Sequence, residues 1–124
     1  MQRPLFSALA AALLQQLRSE YDAVLITIGA STDKKLGLEG EDADGVISAV
    51  QFLRDVGKDE ALDLTGKEVA VVGGGNVSMD AVRTAKRLGA KKVSIVYRRR
   101  VADMTALPAE IEGAIGEGIE VQTL

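Results

Sequence analysis

A chain of 124 residues with 47% hydrophobic content is long enough for one domain with its own core. It has no cysteine and no histidine, which excludes disulfides, thiolate metal sites, iron–sulfur ligation and a redox dithiol, and removes the commonest general base. Lys and Arg number 15 against 18 Asp and Glu, and two tyrosines and two phenylalanines are the only aromatics, a balance that argues against a nucleic-acid partner.

Any redox chemistry must therefore sit on bound cofactors. With so few aromatics the core must be built from Val, Ile, Leu and Ala, which suits a buried parallel sheet flanked by helices.

Taken in order, the amino terminus first resembles a signal peptide. Met1-Gln2-Arg3 precede an apolar stretch to Leu14, and Ala8-Leu9-Ala10 could pass for a cleavage site. The run then turns amphipathic at Gln15-Gln16-Leu17-Arg18 and is too short to cross a bilayer. The expectation is a cytoplasmic protein with no membrane partner. Residues 5–19 read as a helix, because Leu5, Leu9, Leu13 and Leu17 recur every four residues with Ala8 and Ala12 alongside. That stripe is expected to face a core, or else to cover exposed sheet or another subunit.

Residues 22–28 form a continuous apolar run ending at Gly29 and read as a central parallel strand. Residues 30–45 read as an acidic, glycine-containing loop. Asp44 is expected to cap a helix over residues 46–56, with Val46, Val50 and Leu53 on one face, Ala49 and Val56 beside them, and Gly57 as the stop. Residues 57–66 read as a charged linker.

Residues 67–100 hold the most informative stretch. An apolar run, Val69-Ala70-Val71-Val72, enters Gly73-Gly74-Gly75-Asn76-Val77-Ser78. A helix over residues 76–88 follows, and Gly89 leads to a second strand at 93–97. A glycine turn between a strand and a helix is the setting a dinucleotide-binding fingerprint requires. Gly73 serves the tight turn, Gly75 admits a pyrophosphate close to the backbone, and Ser78 stands where Gly or Ala is usual. Gly73, Gly74, Gly75, Asn76, Val77 and Ser78 are candidate phosphate holders, chiefly through backbone N–H groups. A tight turn that binds nothing is the bland alternative.

The helix is expected to bury Val77, Ala81, Ala85 and Leu88 and to point Arg83, Lys86 and Arg87 elsewhere. Asp80 is placed in its first turn, in a structural role rather than as a ligand. After the second strand, Arg98, Arg99 and, more weakly, Arg100 replace the carboxylate of an NAD-selective site. Guanidinium groups match a 2′-phosphate, so NADP is expected over NAD; a solvated basic turn is the alternative. Pro108 opens a helix to about Gly116 with Ile111 and Ile115 buried and with Glu110, Glu112 and Glu117 solvated. Residues 119–124 alternate as an edge strand.

The motifs Gly73-Gly74-Gly75-Asn76-Val77-Ser78-Met79-Asp80, Arg87-Leu88-Gly89-Ala90 and Val96-Tyr97-Arg98-Arg99 resemble the NADPH-binding region of the glutamate synthase small-subunit family. Two upstream stretches add to the resemblance. Residues 21–30 are similar to the segment closing that family's first FAD-binding section, and residues 38–53 to its crossover into the NADPH domain. The family's usual Met-Pro-Ala after the Arg pair appears here as Met104-Thr105-Ala106-Leu107-Pro108-Ala109, which implies a shifted loop. The resemblance implies a flavoenzyme in which NADPH reduces FAD and electrons pass on to iron–sulfur clusters. It implies that Thr27, Gly29 and Ala30 lie near flavin, although most of a flavin pocket is absent from this chain. It also implies that the chain is a piece of a larger flavoenzyme whose remaining parts, or a large catalytic subunit, would be its partners.

The expected fold is a partial, Rossmann-like three-layer α/β domain with about four strands in the order 119–124, 93–97, 69–72, 23–28. The last strand is placed there because an apolar strand left unpaired is an aggregation site. Residues 1–66 and 67–124 are expected to pack as one compact domain. No residue is a convincing catalytic acid or base and no metal site is expected. Two other functions remain open from the sequence: a non-catalytic nucleotide-binding module, and an assembly element that pairs with another copy.

Overall fold

The computed structural model describes residues 3–27, 29, 34–58 and 62–123. The chain divides into two units, Met1–Ala30 and Ser31–Leu124. The Ala49–Val56 helix packs on the fingerprint helix within the second unit.

In the first unit, helix α1 spans Arg3–Glu20. Leu9 and Leu13 of its leucine stripe are not core, being 72% and 57% exposed. A four-residue leucine repeat gives a helix an apolar side but does not supply the surface to bury it against. Residues 23–27 form no strand, and Leu25 is 88% exposed; Ile28 and Ala30 lie outside the described residues. The apolar run has strand-like composition, but a strand also needs a ladder partner, and none of residues 23–27 has one among the described residues.

The second unit contains helix α2 (Ala49–Val56), strand β1 (Glu68–Val72), helix α3 (Asn76–Arg87), strand β2 (Lys92–Tyr97), helix α4 (Pro108–Gly116) and strand β3 (Glu120–Thr123). The sheet is parallel with order β1-β2-β3, Val71 opposite Ile95 and Ile95 opposite Val121. Three of the four expected strands thus stand in the expected order. Beside β1, where the fourth was placed, lies a cavity of ≈ 650 Å³ lined by Phe52, Leu64, Val69, Val71, Ala81 and Ala85 among others.

In a parallel ladder, paired residues share a face. Val69, Val71, Val93, Ile95, Tyr97 and Val121 face the helices and pack into one core with Met79, Val82 and Ala85 of α3 and Ala114 of α4. Met79, Val82, Val93 and Ile95 are fully buried, each worth roughly 1.5–3 kcal/mol of apolar transfer. The opposite face carries Val72 and Val96 exposed. Within this unit the helices cover one face of the sheet, so the expected third layer is not part of it.

Helix phases also depart from expectation. Helix α2 starts three residues late because Gly45, at φ 86°, turns the chain, and the Ser48 hydroxyl, not Asp44, accepts the Gln51 N–H. Its buried residue is Phe52. In α3 the buried face is Ser78, Met79, Ala81, Val82 and Ala85, and Val77 is exposed. In α4, Ile111 and Ala114 are buried while Ile115 is half exposed. Glu110 and Glu117 are not simply solvated: Arg83 bonds both, at 2.8 and 2.7 Å.

Candidate nucleotide site at the carboxyl end of the sheet

β1 ends at Val72, and the Gly73 N–H donates to the Val96 carbonyl at 3.0 Å. That bond extends the ladder by one residue and fixes where the turn begins beside the end of β2. Gly73 then adopts φ 142°, and a Cβ there would lie 2.7 Å from Ser78 Oγ. Only glycine fits on both counts. A Cβ on Gly74 would lie 2.9 Å from Met104 Cγ and from the Tyr97 ring. These two glycines are required by the fold itself.

Gly75 is different. It is the N-cap of α3 in ordinary extended backbone, at φ −100° and ψ 173°. A Cβ there would meet only Thr105 Oγ1 at 3.6 Å. Neither packing nor strain demands glycine at this point; its missing Cβ keeps open the space above the helix start. The Ser78 and Met79 N–H groups both bond the Gly75 carbonyl. The Asn76 and Val77 N–H groups precede the first carbonyl the helix could offer them and have no partner among the described residues. No side chain caps this helix and no acidic residue lies in its first turn; Asp80 falls in the second. The helix start therefore presents free donors and the positive end of the helix dipole beside the glycine turn, which suits a diphosphate.

The segment after β2 arches back onto the turn. The Gly74 carbonyl accepts N–H bonds from Thr105 at 2.9 Å and Ala106 at 3.0 Å. The Asn76 Oδ1 accepts the Leu107 N–H at 2.9 Å. The Tyr97 hydroxyl donates to the Asp103 carbonyl at 2.9 Å. Arg100 pairs with both oxygens of Asp103 at 3.1 Å. That pairing, aided by the Arg99 charge and opposed by partial burial, holds the Asp103 carboxyl below its ordinary value.

Arg98 and Arg99 are exposed and have neither ion pair nor hydrogen bond among the described residues. They follow Tyr97 directly and so stand at the same end of the sheet as the glycine turn. The structure thus brings Gly73–Ser78 together with the Arg98–Arg100 stretch. It also separates roles: Arg100 is engaged with Asp103, and the Asn76 carboxamide with Leu107. Thr27 and Gly29 belong to the first unit, where Gly29 has φ 69°. Tyr97, Met104, Thr105 and Leu107 were missed from sequence as parts of the site. Only the Arg100–Asp103 spacing of three could have signalled the arch. No group of residues that could hold a metal ion occurs among the described residues, and no helix among them is long and apolar enough to cross a membrane.

A strand, a glycine turn and a helix with free N–H groups define a nucleotide-binding α/β domain. Residues 11–123 match the family model described as pyridine nucleotide-disulphide oxidoreductase, and the chain belongs to that family. It is 46% identical over 108 residues to the NADP(+)-dependent formate dehydrogenase subunit beta of Moorella thermoacetica, covering 86% of this chain and 15% of the relative. It is 42% identical over 117 residues to the NADPH glutamate synthase small chain of Escherichia coli strain K12, covering 86% and 25%. It is 38% identical over 112 residues to the NADPH-Fe(3+) oxidoreductase subunit beta of Geobacter sulfurreducens, covering 88% and 16%. The chain spans a quarter or less of the length of these relatives.

Proposed function

We propose that this chain is the NADPH-binding part of a flavin-dependent oxidoreductase. The observation that carries the reading is the pairing of an open, uncapped helix start at Gly75–Val77 with two unpartnered guanidinium groups at Arg98 and Arg99. The Asn76 and Val77 N–H groups would hold the diphosphate, and Gly75 would admit it. Arg98 and Arg99 would hold the 2′-phosphate, and Arg100 would act mainly by bracing Asp103. The names of the relatives support the choice of NADPH.

When bound, NADPH supplies a hydride, and in the longer protein FAD would take it. This chain's own residues bind and orient. With no histidine and no cysteine, they provide neither the usual proton donor nor a thiol, so the isolated chain is expected to bind without turning over. Thr27 and Gly29 would lie against flavin only when the rest of the flavoenzyme completes that pocket, and those remaining parts would be its partners. Calorimetric titration of the purified chain with NADPH, NADH and FAD tests the reading. NADPH should bind more tightly than NADH, and FAD should bind weakly or not at all. A chain that binds neither pyridine nucleotide overturns it.

A further inference from the structure

We propose that the Asn76 side chain is a positioning group that sets cofactor selectivity, while its backbone N–H alone serves the phosphate; this rests on the NADPH reading above. Its carboxamide oxygen is already committed to the Leu107 N–H at 2.9 Å. Leu107 is the N-cap of α4 and ends the arch that begins at Tyr97. The same arch is tied at Thr105 and Ala106 to the Gly74 carbonyl and at Asp103 to the Tyr97 hydroxyl. Arg98 and Arg99 are carried on this arch, and the diphosphate donors are the N–H groups of Asn76 and Val77. One side chain thus links the start of α3 to the arch that follows β2. It fixes the distance between amides that would serve NADPH and NADH alike and guanidinium groups that would serve NADPH alone.

The Gly74 ties involve backbone only and survive any side-chain change at position 76. The Asn76 link is the one that a substitution can remove without touching the donors themselves, because those are main-chain groups.

The test compares Asn76→Ala and Asn76→Asp with the wild-type chain by titration with NADPH and NADH, with thermal unfolding alongside. Asn76→Ala keeps the amide donors and loses the link. Its NADPH affinity should fall so that the NADPH-to-NADH preference drops about tenfold, equivalent to one misplaced phosphate contact, with NADH binding nearly unchanged. Asp at 76 can still accept the Leu107 N–H, while its charge repels any diphosphate. Asn76→Asp should weaken both nucleotides together and keep the wild-type preference. An equal loss for both nucleotides in Asn76→Ala would make Asn76 a direct ligand or a merely structural residue and overturn the inference. So would an unchanged preference. A wild-type chain that binds neither nucleotide overturns the NADPH reading and this inference with it.

Discussion

Gly73 and Gly75 stand two residues apart, yet alanine should act on them in opposite ways. At Gly73 the backbone sits at φ 142° and a Cβ would lie 2.7 Å from Ser78 Oγ, on a helix turn packed against the core. The disfavoured φ alone costs on the order of 1–3 kcal/mol, and overpacking adds about 1–3 kcal/mol. A loss of roughly 2–6 kcal/mol should lower Tm by about 10–30 °C in a unit of this size. At Gly75 the backbone is extended and the nearest atom to a Cβ is Thr105 Oγ1 at 3.6 Å. Alanine is a poorer N-cap than glycine by roughly 0.5–1 kcal/mol, and reduced unfolded-state entropy offsets this by about 0.4–1 kcal/mol. The net change should stay within about 1 kcal/mol. The added methyl, however, would occupy the opening above α3 and should weaken NADPH at least about 100-fold, or ~2.7 kcal/mol. Differential scanning calorimetry and nucleotide titration on Gly73→Ala and Gly75→Ala give both readings. If Gly75→Ala unfolds as early as Gly73→Ala, or binds NADPH like the parent, the division between a glycine for the fold and a glycine for the ligand is wrong.

Met79→Ala should cost about 2–5 kcal/mol because Met79 is fully buried, whereas Val77→Ala should stay within about 0.5 kcal/mol because Val77 is exposed; urea unfolding separates the two. Arg83 donates to Glu117, which holds the Glu117 carboxyl below its ordinary value. A depressed folded-state pKa gives stability that is present above the ordinary carboxylate value and lost as pH falls through the depressed one. Tm should therefore fall as pH drops below about 4.5, and Arg83→Ala should flatten that decline while lowering Tm at neutral pH. A Tm profile with the same acid slope in both chains would remove the Arg83–Glu117 pair as its cause.

The parts of the fold written in local chemistry were legible from the chain. Val69–Val72 before three glycines, Gly89 after α3, which has φ 89°, and Pro108 opening α4 each act within a few residues. What required the folded chain was contact over distance. The leucines of α1 have the right period, but period does not say whether a surface exists to bury them. Val24, Leu25 and Ile26 have strand composition, but no ladder partner among the described residues. Val77 lost its expected place in the core because the turn at Gly73–Gly75 sets the helix phase so that Met79 and Val82 face β2. Glu110 and Glu117 look solvated until α4 is laid beside α3 and Arg83 lies between them. At the site, the glycine turn and the arginine run could be read separately. The bonds joining them, from Thr105, Ala106 and Leu107 back to Gly74 and Asn76, span about thirty residues and leave no pattern in sequence.

The most direct measurement is the affinity of Arg98→Glu/Arg99→Glu for NADPH and NADH beside that of the parent chain. Two charge-assisted phosphate contacts are worth roughly 3 kcal/mol together, so NADPH should bind about 100-fold more weakly. NADH, which has no 2′-phosphate, should change less than about threefold. Equal weakening of both nucleotides, or none, would contradict the assignment of these arginines to the 2′-phosphate.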